Sequence, residues 1–355
     1  MPAEWEPHER TWLAWPSQGY TLGDTVDEVE SARGTWSAVA KAIARFEPVT
    51  LVVDPGDAEV AASYVGKQQE ITIVQAALDD AWMRDIGPSF VVSRDGSLGA
   101  VNWVFNGWGA QPWATWGNDA LIGAFVGALA GAEVIDSPMV NEGGGIHVDG
   151  QGTVLLTETV QLDAGRNPGL SRAEVEAELA RTIGATAYVW LPRGLTRDYD
   201  EFGTRGHVDI VATFAAPGLV LLHWQEDRTH PDYAVCRELE AVLEDARDAH
   251  GLALRVIKVP APRATHDDDG PVDWSYINHL LVNDGVIACT FADPQDEESL
   301  AILAAAYGGR DVVGVDARPL FDRGGGIHCI TQQQPIAQPQ PIAQQQTRSA
   351  PTADG

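Results

Sequence analysis

One cysteine, one histidine, three carboxylates and one amide stand at equivalent points of a repeated pattern in this chain. They are Asp85 in Trp82-Met-Arg-Asp-Ile-Gly-Pro88, Glu142 in Glu142-Gly-Gly-Gly-Ile-His147, His207 and Asp209 in Gly206-His-Val-Asp209, Asn278 in Ser275-Tyr-Ile-Asn278, and Cys329 in Gly324-Gly-Gly-Ile-His-Cys329. A thiolate is a nucleophile, histidine moves protons near neutral pH, and carboxylates hold positive charge. Carboxylates beside a thiol raise its pKa, so the set suits a substrate that brings its own positive charge. A guanidinium answers that need, being planar, cationic and able to bond carboxylates in pairs. The same side chains are zinc ligands, but no Cys-x-x-Cys or His-Glu-x-x-His spacing occurs. A metal-dependent hydrolase therefore ranks below covalent catalysis.

Cys329 draws attention because its segment, Arg323-Gly-Gly-Gly-Ile-His-Cys329, echoes Glu142-Gly-Gly-Gly-Ile-His-Val148. One copy adds a thiol after the histidine, and the other places a carboxylate before the glycines. Glycines permit a ligand or another side chain to approach the main chain closely. His147 and His328 occupy matching positions and are read as structural. Cys236 and Cys289 lie in apolar segments and read as packing residues.

Elements that position these residues recur with one order: two short apolar runs around a turn, a helix, then an apolar run ending near proline. Residues 145–148 and 153–157 flank Asp149-Gly-Gln-Gly152, a hairpin signal. Ser171 and Glu174 then mark a helix start with a capping box, and residues 187–191 form a strand before Pro192. Residues 90–138, 208–260 and 279–319 repeat this outline, with helices expected at 119–130, 233–250 and 297–307. The first unit is less regular, with a run at 11–15, a helix near 29–45 and a strand at 49–53. Five units too small to bury their apolar faces alone must pack about a common centre.

At 355 residues with 45% hydrophobic content, the chain can bury a sizeable core. Its 23 basic and 51 acidic residues give a net charge of −28, which repels nucleic acid and anionic lipid and favours solubility. Three scattered cysteines make no disulfide framework, and the N-terminus lacks the charged and apolar regions of a secretory signal. The expected location is the cytoplasm; association into a homo-oligomer is left open. Residues 1–331 read as one catalytic domain. Residues 332–355, rich in Gln and Pro, read as a disordered tail.

With these motifs assembled, and with Asn167-Pro168 beside them, the sequence resembles the agmatine deiminase and bacterial peptidylarginine deiminase family. The resemblance implies an α/β fold, a five-bladed α/β propeller (pentein) with pseudo-fivefold strand-turn-strand-helix-strand repeats. It also implies that Cys329 is the nucleophile, His207 the general acid and base, and Glu142 the group that orients His207. Asp85 and Asp209 would grip the guanidinium, with Asn278, Trp82, Trp108 and Gly326 meeting the substrate. Trp82, Trp103 and Trp108 are candidates for an aromatic wall. No metal and no organic cofactor is implied. The expected partner is a small cationic guanidino substrate, agmatine first; arginine, peptidylarginine or a guanidino metabolite are the alternatives. Thr204-Arg205 departs from the family pattern, in which an acidic residue commonly precedes Gly-His-Val-Asp. Asp198, Asp200 and Glu201 lie near it in sequence and could meet an amine.

Overall fold

The computed structural model describes residues 1–337, and along them one small sheet is built repeatedly. Near the N-terminus β1 (His8–Ala14), β2 (Val49–Val53) and β3 (Ile71–Gln75) run parallel. Four three-stranded sheets follow: β4 (Ser89–Val92), β5 (Leu98–Val104) and β6 (Glu133–Val140); β7 (Ile146–Val148), β8 (Thr153–Thr157) and β9 (Ala187–Leu191); β10 (Ala212–Ala216), β11 (Leu219–Trp224) and β12 (Arg255–Pro260); β13 (Leu280–Val282), β14 (Gly285–Thr290) and β15 (Asp311–Asp316). In each of the four, the first two strands form an antiparallel hairpin and the third lies parallel to the second. A parallel step needs a crossover, and helices Ile122–Leu129, Arg172–Ile183, Asp232–Asp245 and Asp296–Ala306 supply it.

Local chemistry explains these elements. The middle strands Thr153–Thr157 and Leu219–Trp224 are buried at every position, so they read as continuous rather than alternating apolar runs. Between β13 and β14, Asp284 takes φ of 61°, a left-handed turn conformation that Asp tolerates. The capping box expected at Ser171 is present, its hydroxyl accepting from Glu174 N–H while the Glu174 carboxylate returns to Ser171 N–H. The helix expected over 233–250 stops at Asp245. Glu244 and Asp245 place negative charge at the negative end of the helix dipole, and Arg247 instead bridges Ala253.

Two departures from the sequence reading concern the ends of the chain. After β2, the helix Ala58–Val65 and β3 extend the first sheet beyond the expected unit. Thr331–Pro335, here β16, then pairs antiparallel with β1, Leu13 facing Thr331 and Trp12 facing Gln332. The domain boundary expected at Thr331 is therefore too early. Composition weighs side chains, whereas the free edge of β1 needs backbone partners. One of the glutamines is also bonded through its side chain: Trp12 Nε1 donates to Gln334 Oε1 at 2.9 Å. Residues 338–355, where the rest of the expected tail falls, lie outside the described residues. No helix among the described residues is long and apolar enough to cross a membrane.

Every segment that leads from one sheet into the next passes through buried surroundings. Asp85, Glu142, His207, Asp209, Asn278 and Cys329 all lie on such segments, just before β4, β7, β10, β13 and β16, and all are buried.

Candidate active site

Cys329 follows the second triple-glycine segment, with its Sγ buried against Asn278 and Asp209. Asn278 Oδ1 accepts the backbone N–H groups of His328 at 3.0 Å and Cys329 at 3.4 Å. That fixes the amide, so Nδ2 can donate to Sγ at 3.2 Å, while Oδ1 lies 3.4 Å from the same sulfur. Asp209 Oδ2 lies 3.6 Å from the same sulfur. Across the site, His207 Nε2 meets Glu142 Oε2 at 3.3 Å, and Nδ1 lies 3.8 Å from Asp85 Oδ1. Asp85 is aimed by two donors, Trp108 Nε1 at 2.9 Å and Gly144 N–H at 3.2 Å. Among the described residues, His207 Nδ1 and Asp209 Oδ1 have no hydrogen-bond partner. Buried polar atoms are seldom left so.

The glycines make this closeness feasible. A Cβ on Gly144 would lie 2.5 Å from His207 Nδ1 and 3.0 Å from both Asp209 Oδ2 and Asp85 Oδ1. A Cβ on Gly325 would lie 3.0 Å from Cys329 Sγ and 2.8 Å from the Trp82 ring. The two triple-glycine segments thus serve one purpose: each lets main chain pass directly against reactive side chains. Gly326 sits against Asn278, where a Cβ would meet Oδ1 at 2.5 Å.

Burial and neighbouring charge set the protonation states. Burial, reinforced by Asp209 and Asp85, pushes the Cys329 thiol well above its ordinary pKa. Burial also raises Asp85, to about 6; the charge of His207 opposes this and those of Asp209 and Glu142 add to it. For His207 burial acts downward, but Asp85, Glu142 and Asp209 outweigh it and hold the imidazolium up to about 9. Burial raises Glu142, but Arg166 and His207 together outweigh it and hold the carboxyl below its ordinary value. Without a cation, then, the site rests as a thiol beside an imidazolium. A bound guanidinium would lower the thiol's pKa by direct attraction.

All six polar residues expected from the sequence come together. Sequence reasoning missed Arg166, whose Nε meets both Glu142 oxygens at 3.0 Å and whose Nη2 donates to Thr204 O at 2.7 Å. Its place beside Asn167-Pro168 was the available signal. His328 was read as structural, yet its Nδ1 meets Asp209 Oδ2 at 2.8 Å. Of the tryptophans, Trp82 and Trp108 border the site, whereas Trp103 does not: its Nε1 bonds Ser89 Oγ at 3.0 Å inside a different apolar cluster. Strand alternation sends it to the other face. Three further aromatics join Trp108, since Trp113 stacks on it at 5.2 Å while Tyr20 stacks on Phe202 at 4.5 Å. Among the described residues, the His, Cys, Asp and Glu donors close enough to share an ion are those of Glu4, His147 and His328.

Residues 1–335 match the model of the Porphyromonas-type peptidyl-arginine deiminase family. The agmatine deiminase of Stutzerimonas stutzeri is 41% identical, over 94% of this chain and 95% of its own. A Streptomyces coelicolor protein, provisionally named an agmatine deiminase, is 54% identical over 94% of this chain and 98% of its own. A solved structure of the Enterococcus faecalis agmatine deiminase superposes with a TM-score of 0.88 at 33% identity, covering 95% of each chain. A match along nearly the whole length, together with a buried thiol facing two carboxylates and a carboxylate-held histidine, makes this chain a member of the Porphyromonas-type peptidyl-arginine deiminase family.

Proposed function

We propose that this chain is an agmatine deiminase, a hydrolase that converts agmatine and water to N-carbamoylputrescine and ammonia through a cysteine-bound thiouronium. The observation that carries this reading is the Cys329 sulfur, buried beside Asp209 Oδ2, which packs with His207 Nδ1 and Asp85 Oδ1 around Gly144. The names of its relatives point the same way.

In the mechanism this implies, Asp85 and the open Oδ1 of Asp209 bind the guanidinium nitrogens. Their grip turns the flat face of the carbon toward Sγ. The cation lowers the thiol's pKa, the thiol proton leaves to solvent, and the thiolate forms a C–S bond. His207 then donates its Nδ1 proton to one amino group, the C–N bond breaks and ammonia departs. The S-alkylthiouronium that remains is cationic and still held by the carboxylates. Neutral His207 takes a proton from water as its oxygen attacks the same carbon. Breaking the C–S bond releases the ureido product and the thiolate; the hydroxyl proton passes to the ammonia already released, giving ammonium, and the thiolate takes a proton back from solvent. Asn278 Nδ2 stabilises the sulfur anion at both ends of the cycle. No step calls for a metal or an organic cofactor. Gly144→Ala is expected to lower kcat/KM by at least about 100-fold, because the displacement falls on three of these groups at once. Steady-state kinetics beside a thermal melt will separate this from unfolding.

The surroundings favour an amine over a carboxylate at the far end of the substrate. Arg205 is turned to Asp163 at 3.6 Å and stays partly exposed. Asp198 is committed to the N–H groups of Thr204, Gly206 and His207. Asp200, Glu201, Asp273 and Asp322 line a 360 Å³ cavity that reaches Gly324, and Arg197 on its wall is paired with Asp267. Such a wall attracts ammonium and repels carboxylate.

Five sheets of shared strand order, with β16 joining the last segment to β1, support a ring of five units, the pentein propeller. On this reading residues 1–335 are one catalytic domain. The acidic surface fits a cytoplasmic enzyme that binds neither nucleic acid nor membrane; self-association has no bearing on the reaction as written. The test is ammonia release from agmatine, arginine and a blocked arginine peptide. Agmatine is expected to exceed the others by at least about 100-fold in kcat/KM, a ratio in reach of one buried charge contact. Equal or greater rates with arginine or the peptide would reject the assignment.

A further inference from the structure

Against Asp209 Oδ2, the oxygen that also lies 3.6 Å from Cys329 Sγ, stands a buried set of charges that the mechanism above does not use. His328 stands between two carboxylates, with Nδ1 2.8 Å from Asp209 Oδ2 and Nε2 2.8 Å from Glu4 Oε1. A neutral imidazole has one N–H, so one of these contacts would set a lone pair against a carboxylate oxygen. Two short contacts to two carboxylates require both nitrogens to donate. Glu4 comes from the N-terminal segment and is itself buried, with Arg84 Nη1 at 3.4 Å. His147 Nε2 lies 3.7 Å from Glu4. Although Glu4, His147 and His328 are close enough to share an ion, their donors are already engaged. Arg84 supplies a cation, and the Phe214 N–H points at His147 Nδ1 at 3.2 Å.

We propose that Glu4 and His328 are positioning residues of this reaction: Glu4 holds the His328 imidazolium, which pins Asp209 Oδ2 and leaves Oδ1 free for the guanidinium. The pattern is an outer carboxylate, a histidine and an inner carboxylate, in which the histidine carries charge rather than moving it. Asp209 is buried as Asp85 is, yet the two differ in their neighbours. Burial raises both, but for Asp209 the bond and charge of His328, joined by the charges of His207 and Arg84, outweigh it and hold it below its ordinary value. One clamp thus stays ionised where the other begins to take up protons. Groups facing His328 are Asp209, Glu4 and Arg84, with His147 and His279 at longer range. None of these except Asp209 is given contact with substrate in the mechanism.

This inference rests on the deiminase reading, and two side-chain swaps test it apart from that reading. His328→Gln retains a group in reach of Glu4 and loses the donor to Asp209; His328→Asn does the reverse. In His328→Gln, Asp209 should protonate along with Asp85, so the acid limb of kcat/KM steepens from about one proton to about two. The loss should be about 100-fold at pH 6 and at least about fivefold smaller at pH 8. His328→Asn should recover about tenfold of that loss at pH 6. Equal losses at both pH values, or no difference between the variants, would overturn the proposal. The unaltered, substrate-free protein gives an independent reading. In ¹⁵N-histidine NMR, the signal absent from both variants should show two protonated ring nitrogens at pH 7. A neutral ring there would overturn the proposal even if agmatine is turned over, whereas failure of the unaltered enzyme on agmatine would strike the deiminase reading alone.

Discussion

Cys329→Ala is expected to cut agmatine turnover by at least about 10⁴-fold while the fold is retained, because no other group near the clamps can form the covalent intermediate. The residue is small and the change removes one buried atom, so Tm should stay within about 5 °C. Cys236→Ala and Cys289→Ala are the controls. Burial pushes both thiols up to about 12, and each is engaged in packing, Cys236 Sγ accepting Gln225 N–H at 3.3 Å and Cys289 Sγ lying 3.0 Å from Asn278 O. Both variants should remain active. Turnover by Cys329→Ala within 100-fold of the unaltered enzyme, on the order set for covalent catalysis, rejects the nucleophile. So does a dead Cys236→Ala. Alkylation offers a companion measurement: substrate should protect the enzyme from a neutral thiol reagent, since the guanidinium covers Sγ.

His207→Gln carries the next largest effect, a fall in kcat of about 10³-fold. Two proton transfers fail together, to ammonia in the first half and from water in the second. The side chain also sets the pH profile. His207 must hold its proton for ammonia to depart, and its value is raised to about 9, so rates should fall as pH rises through that value. Asp85 must be ionised to bind, and its value is raised to about 6, so rates should fall as pH drops through it. A bell between these limits is the expected profile, and His207→Gln should lose its alkaline limb. Because the folded value of His207 exceeds the ordinary 6.5, its contribution to stability is full below that pH and lost as pH rises through about 9. Melts of both proteins across this window should converge at the alkaline end. A profile flat from pH 5 to 10, on the scale of these shifts, would remove His207 from the mechanism.

Much of this was legible before any coordinates. Hairpins announced themselves through turns such as Asp149-Gly-Gln-Gly152, and the Ser171–Glu174 pair marked its helix start correctly. Repetition did the rest: once the units were aligned, the polar residues before each hairpin fell at equivalent points, and the structure gathers all of them. What stayed hidden has a physical reason in each case. Arg166 is 24 residues from Glu142, and a lone arginine carries no periodic signal. His328 matched His147 in the repeat, and matching concealed that only one of them borders Asp209. Gln332–Gln334 looked like tail because their composition is polar, though each is buried and Trp12 bonds Gln334. Polar side chains in pairs can be interior; composition counts them singly.

The pairing of β16 with β1 bears on how the enzyme is made. Cys329 sits two residues ahead of the strand that zips onto the opposite end of the polypeptide. During synthesis both clamps, the proton carrier and its supporting arginine emerge from the ribosome well before the sulfur does. On the proposed mechanism, a chain that stops before residue 329 lacks the atom that would bond the substrate, whatever else of the site it carries.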